Sequence, residues 1–178
     1  VSIDPDMARR WLDAARDPAV VGELRGVFGW IAREVEARGP ACWASGRCCN
    51  FERSGHLLYV TGLEAAYALV HAPPADTNQG PRSLSLTQLA RARGGCPFQS
   101  GNLCSIHTVK PSACRIYFCD RGAREWQQTL SESVQARLRD MHDAGGIPYF
   151  YGEWRVVLET VMLARGGKCS DDGRTLMR

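Results

Sequence analysis

The chain has 178 residues, of which 44% are apolar and 23% charged, and its net charge is +3. That is the size and balance of one globular domain with its own hydrophobic core, and no basic run demands nucleic acid. No apolar stretch reaches about eighteen residues, so no membrane span is expected, and the opening VSIDPDMARRWLDAARD lacks the apolar region of a signal peptide.

The first forty residues read as helix. Asp4-Pro5 and Asp17-Pro18 each place an N-cap acid before a proline at the first helical position. From the second start, Val20, Leu24, Val27, Ile31 and Val35 recur at three- and four-residue spacing and predict one apolar stripe, ended by Gly39-Pro40. Gly22, Gly26 and Gly29 share a helical spacing and predict close approach of another backbone. HLLYV at 56–60 is a short strand candidate. Thr61 and Glu64 form a capping box ahead of the helix GLEAAYALVHA. A polar Pro/Gly-rich loop is expected over 73–83, then a short helix in SLTQLARARGG. CPFQSGNLCSI predicts a small hairpin turning at Ser100-Gly101-Asn102, and Pro111 opens a short helix carrying Cys114. The long segment from Arg124 is amphipathic, with Trp126, Leu130, Val134, Leu138 and Met141 on one face and Gly145-Gly146 as its stop. YFYGEW at 149–154 leads into a last helix with Trp154, Val157, Leu158 and Val161 inward, and a polar tail follows.

The cysteines carry the functional signal. There are eight, and seven of them, Cys42, Cys48, Cys49, Cys96, Cys104, Cys114 and Cys119, lie in the middle of the chain; Cys169 is in the tail. Secreted domains too small for a core use cysteines as disulfides, but here the flanking helices supply a core, so the clustering favours metal. Soft thiolates select zinc, copper(I) or iron–sulfur clusters. Cys96 and Cys104 flank the hairpin turn, and Cys104-x2-His107 is a chelate spacing in a turn. Cys114 and Cys119 would diverge by about 140° on a continuous helix, so both reach one centre only if the helix ends between them. Adjacent Cys48 and Cys49 oppose each other in extended chain, which points to two centres or to one ligand and one bystander. Arg47, Arg53, Lys110, Arg115 and Arg121 are placed to offset thiolate charge. His56, His71 and His142 stand isolated and read as structural. No phosphate loop, H-E-x-x-H or Ser/His/Asp motif is present.

Cys96-Pro97-Phe98, Cys104-Ser105-Ile106-His107, Lys110-Pro111 and Cys114-Arg115 resemble the downstream half of the YkgJ-type cysteine-cluster family, a zinc- or iron-chelating domain family. Its upstream half, C-x2-C-x2-C-C, is matched by Cys42, Cys48 and Cys49, with Ser45 where the family carries its second cysteine. Lys110 and His107 stand where Arg and Tyr are commoner. The resemblance spans Cys42 to Cys119 and implies metal binding. A flagellin lysine methylase resembles the same cysteine pattern, which implies a cluster supporting modification of a protein or small-molecule substrate.

The expectation is therefore a mainly α protein, one domain over 1–178. Helices occupy 1–41, an irregular cysteine-rich segment with a short β-hairpin occupies 42–120, and helices and tail occupy 121–178. Cys42, Cys48, Cys49, Cys96, Cys104, Cys114, Cys119 and His107 are the candidate ligands of an iron–sulfur cluster or iron, with zinc as the alternative. Two other functional readings stand beside this: a metal-dependent enzyme with a coordination position opened at Ser45, and a zinc-stapled interaction module without chemistry. A cytoplasmic location is expected, with an unidentified substrate or protein partner and neither nucleic acid nor membrane.

Overall fold

A computed structural model of the protein describes residues 3–40, 45–73, 94–119 and 121–166. Cys42, Cys169, the tail, most of the 73–83 loop and nearly all of the helix expected in SLTQLARARGG lie outside the described residues. The protein is mainly helical, with short antiparallel strand pairs.

Helix α1 spans Pro5–Ala14 and α2 spans Pro18–Arg38. Asp4 accepts from Asp6 N at 2.9 Å and Asp17 from Ala19 N at 2.8 Å, so both helices start where an acid satisfies an orphan amide. Gly39, at φ 55°, closes α2 in the left-handed conformation. The buried stripe of α2 is Val21, Leu24, Phe28 and Ile31. The expected stripe is thus rotated: Val20, Val27 and Val35 flank the core rather than forming its centre, because the ring of Phe28 packs edge-on against Tyr67 at 5.7 Å. The close approach expected at Gly22, Gly26 and Gly29 does not occur. A Cβ at Gly22 or Gly26 would meet nothing within 4 Å, and one at Gly29 only the end of Arg33 at 3.7 Å.

After the short helix α3 (Phe51–Ser54), strand β1 (Tyr59–Thr61) leads directly into α4 (Gly62–His71). The Thr61–Glu64 capping box is present. Strands β2 (Gln99–Ser100) and β3 (Leu103–Cys104) form the hairpin, and α5 (Ser112–Ile116) follows Pro111. Helix α6 (Arg124–Ala144) buries Leu130, Val134, Leu138 and Met141 as its periodicity predicts. Strand β4 (Tyr151–Glu153) pairs antiparallel with β1, Val60 opposite Gly152, and α7 (Trp154–Gly166) completes the described chain with Trp154, Val157, Leu158 and Val161 buried.

Helices α1, α4 and α7 pack together, while α2 packs on α5 and α6. Trp11 lies fully buried in this core, and its indole N–H donates to Pro148 O at 2.7 Å. Gly62 allows this, since a Cβ there would overlap the Trp11 ring. Among the described residues no helix is long and apolar enough to cross a membrane.

His142, on α6, is fully buried. Its Nδ1 donates to Ile147 O at 3.3 Å and Pro148 O at 3.1 Å, and among the described residues its Nε2 has no partner. Burial holds its pKa below the usual 6.5. The neutral ring is the stable one in the fold. Its contribution is complete above pH 6.5 and is lost as pH falls through the depressed pKa, because the unfolded chain then binds the extra proton. Titration of the imidazole by NMR should give a midpoint below 6.5. A midpoint at or above that value would contradict the buried neutral state.

Candidate metal centre

Two separated stretches build the cysteine site. In the first, Arg47–Cys49 forms one turn of 3₁₀ helix, entered through Gly46 at φ 69°. Cys49 N donates to Gly46 O at 3.1 Å, and Asn50 caps α3 by accepting from Arg53 N. The second stretch docks on the first by backbone. Cys96 N donates to Cys49 O at 2.7 Å, and Glu52 N to Gly94 O at 3.0 Å. Gln99 Nε2 donates to Gly46 O at 3.2 Å. Both glycines are required: each holds a positive φ, and a Cβ at Gly46 would run into Asn102 and Gln99, one at Gly94 into Glu52.

The turn changes what the adjacent cysteines can do. In extended chain their side chains would oppose; in the 3₁₀ turn Cys48 and Cys49 bring their sulfurs to 3.9 Å. Two centres are therefore not needed to accommodate the pair. Cys104 lies on β3, opposite Gln99, so the hairpin returns it toward Cys96. Cys114 sits on α5, which ends at Ile116, before Cys119.

Electrostatic coupling links the thiols to one another. Contact with Cys49, then burial and the Cys49 charge, push the Cys48 thiol far above its ordinary range. For Cys49 the contact with Cys48 favours the thiolate, but a hydrogen bond with Cys96, burial, and the charges of Cys96 and Cys104 outweigh it and push the thiol up to about 12. Burial first, then Cys49 and Cys104, raise Cys114. Burial first, with a smaller contribution from Cys48, raises Cys104. Cys48, Cys49, Cys96, Cys104 and Cys114 thus form one mutually interacting set. Among the described residues the cysteines are all free thiols, and no three cysteine, histidine or acidic side chains stand at metal-ligand geometry.

The remaining candidates fall around this set. Cys119 is linked to it through Tyr117, whose phenol is raised first by burial and then by the charges of Cys119 and Cys48. His107 is exposed, and its Nε2 accepts from Lys110 Nζ at 3.1 Å; the Lys110 charge, more than burial, lowers its pKa. Ser45 is exposed, and its Oγ accepts from Arg47 N at 3.4 Å. Lys110 is the cation felt by Cys48, Cys104 and Cys114, in each case favouring the thiolate. Arg115, on α5, is tied to the loop before that helix, donating from Nε to Lys110 O at 2.9 Å and from Nη2 to Thr108 O at 2.8 Å.

Two supports escaped the sequence reading. His56 donates from Nε2 to Cys48 O at 3.3 Å and stacks on Tyr117 at 5.0 Å, so it fixes the backbone beneath Cys48. Glu64, fully buried, reaches beyond its capping box: Oε1 accepts from Ser112 N at 2.7 Å, at the start of the helix that carries Cys114. A histidine eight residues from Cys48 and a glutamate forty-eight from Ser112 leave no periodic trace in the sequence.

Comparison with protein-family models, with curated proteins and with solved structures gives no match.

Proposed function

We propose that this protein binds a metal through its clustered cysteines, as an iron–sulfur cluster or iron held by Cys48, Cys49, Cys96, Cys104 and Cys114, with Cys42, Cys119 and His107 as further candidates. The observation that carries the reading is the docking of the two cysteine stretches, Cys96 N on Cys49 O at 2.7 Å, with the sulfurs of Cys48 and Cys49 3.9 Å apart and the charges of Cys49 and Cys104 reaching Cys114. Four donors would satisfy a tetrahedral ion or a cluster, and the linked set offers five. The 3.9 Å between the sulfurs of Cys48 and Cys49 fits a shared ion as well, since two sulfurs each about 2.3 Å from a tetrahedral metal stand about 3.8 Å apart. Burial that raises free thiols also argues for a metal, because the ion replaces the protons and removes the cost of packing thiols together. Reduced thiols suit a cytoplasmic location. The resemblance of Cys96 to Arg115 to the cysteine-cluster family supports the same reading.

Bound there, an iron centre supplies one-electron redox chemistry, whereas zinc supplies only a cross-link. Anaerobically purified protein should be coloured and contain iron stoichiometrically by elemental analysis. Colourless protein carrying zinc would replace the redox reading with a structural staple, and protein free of both metals after expression in metal-replete medium would end the proposal.

Lys110 gives a second check. Four thiolates on a divalent ion leave a net charge of about −2, and Lys110 is the nearby cation that all three of Cys48, Cys104 and Cys114 feel. Lys110→Met should weaken metal affinity by about 10-fold in competition with a chelator, while circular dichroism stays unchanged. Equal affinity in the variant would remove Lys110 from the site's charge balance.

A further inference from the structure

Away from the sulfurs, a cleft of about 480 Å³ opens between α2, α4 and the loop that precedes α5. On α2, Arg25, Phe28 and Gly29 line it from one helical face. Tyr67 contributes from α4, and Val109 and Arg115 close the third side. No cysteine lines it.

The chemistry of these walls is lopsided. Arg115 spends its Nε and one Nη2 donor on neutral carbonyls, and its guanidinium lies 4.1 Å over the Phe28 ring. Arg25 donates from Nε to the Tyr67 hydroxyl at 3.2 Å. Among the described residues, neither arginine has a carboxylate at ion-pair distance. Glu64, whose charge reaches Arg115, is committed through both oxygens to Thr61 and Ser112. Two cations therefore face a shared space whose other walls include the Phe28 and Tyr67 rings, Val109 and Ala32, with His71 and Thr108 as its polar edge. The size is that of a small-molecule site. Gly29 strengthens the point. A glycine inside a helix costs about 1 kcal/mol relative to alanine, and nothing but the tip of Arg33 lies within 4 Å of where its Cβ would be. Helix packing does not need it, and the room it leaves belongs to the cleft.

We propose that this cleft binds a small organic carboxylate, its planar head held by Arg25 and Arg115 and its apolar body lying on Phe28 and Val109. The arginine fork matches a carboxylate in two parallel hydrogen bonds, and the apolar walls favour a ligand with a hydrocarbon or aromatic body over a bare inorganic anion. The proposal stands apart from the metal reading, since its walls contain none of the sulfur donors.

The test uses the full chain as purified, with benzoate as the probe and inorganic phosphate as the comparison, by calorimetry or ligand-observed NMR. Benzoate should saturate one site in the millimolar range or tighter, and phosphate should bind more weakly. Arg25 is exposed, so Arg25→Gln should fold normally and weaken benzoate by about 10-fold. Gly29→Leu should fill the cleft and abolish binding while favouring the helix. Unchanged benzoate affinity in either variant overturns the assignment. So does phosphate binding as tightly as benzoate, and so does the absence of saturation at millimolar probe.

Discussion

Cys49→Ser should strip the protein of its metal and lower the thermal midpoint of the metal-loaded form by about 8–16 °C. Cys49 is chosen because it is the hub of the set: its sulfur contacts those of Cys48 and Cys96, and its carbonyl accepts the Cys96 amide. Serine keeps the carbonyl and the size but is a hard, weakly acidic donor, so only the soft ligand is lost. A 1,000-fold loss of affinity removes about 4 kcal/mol of stabilisation by mass action. For a chain of this length each kcal/mol moves the midpoint by about 2–4 °C. The same reasoning makes chelation of the unmutated protein equivalent to the substitution. The two apo forms should melt together, with the α1, α4 and α7 core retained, since Cys96, Cys104 and Cys114 pack against the edge of the hydrophobic cluster rather than among its buried residues. Cys96→Ser and Cys104→Ser should follow Cys49→Ser. Metal content unchanged across all three, measured by elemental analysis per mole of folded protein, would sink the proposed function outright.

What the chain discloses before any coordinates depends on the range of the interaction. Helices α1, α2, α6 and α7 are legible because their signals are local: an acid before a proline, a glycine at the end, apolar residues every three or four positions. The rotation of the α2 stripe toward Val21 and Phe28 is not legible, because it depends on which side chain finds a partner, here Tyr67 on α4. The hairpin is legible from Gly101-Asn102. That Cys48 and Cys49 share a side is not, since it needs the 3₁₀ turn that Gly46 permits and that the docked strand at Gln99 holds in place. His107 shows what spacing leaves out. Cys104-x2-His107 is a chelate pattern, and the fold adds a donor to the ring from Lys110, three residues farther on, at 3.1 Å. The arginine cleft has the same character: Arg25, Phe28 and Gly29 announce a shared helix face, but only the fold brings Arg115 across from them.

Glu64 joins these two kinds of information, and its removal should be the most damaging change that touches neither a thiol nor an aromatic core residue. The capping box is written in the sequence; the bond from Ser112 N to its other oxygen is not. Oε2 accepts from Thr61 N at 2.9 Å and Thr61 Oγ1 at 3.0 Å, and Oε1 accepts from Ser112 N at 2.7 Å. The residue is fully buried, so after Glu64→Ala two backbone amides would lose their acceptor with no water to replace it. At about 1.5–3 kcal/mol for each hydrogen bond to a charged group, the loss of the two should reach about 3–6 kcal/mol, or a midpoint lower by about 6–24 °C. Glu64→Gln is the sharper experiment. The amide keeps the volume but offers an acceptor on one side only, so either the α4 cap or the α5 start must face an N–H. It should cost about half as much as the alanine variant. Because α5 carries Cys114, both variants should also loosen metal retention under chelator challenge, the alanine more than the glutamine, although neither removes a ligand. Thr61→Val provides the control: it deletes the hydroxyl half of the capping box while leaving Ser112 tied to Glu64, so it should lower stability without a matching loss of metal. Equal metal loss in Thr61→Val and Glu64→Gln would mean that general destabilisation, rather than the tie to α5, governs how the centre is held.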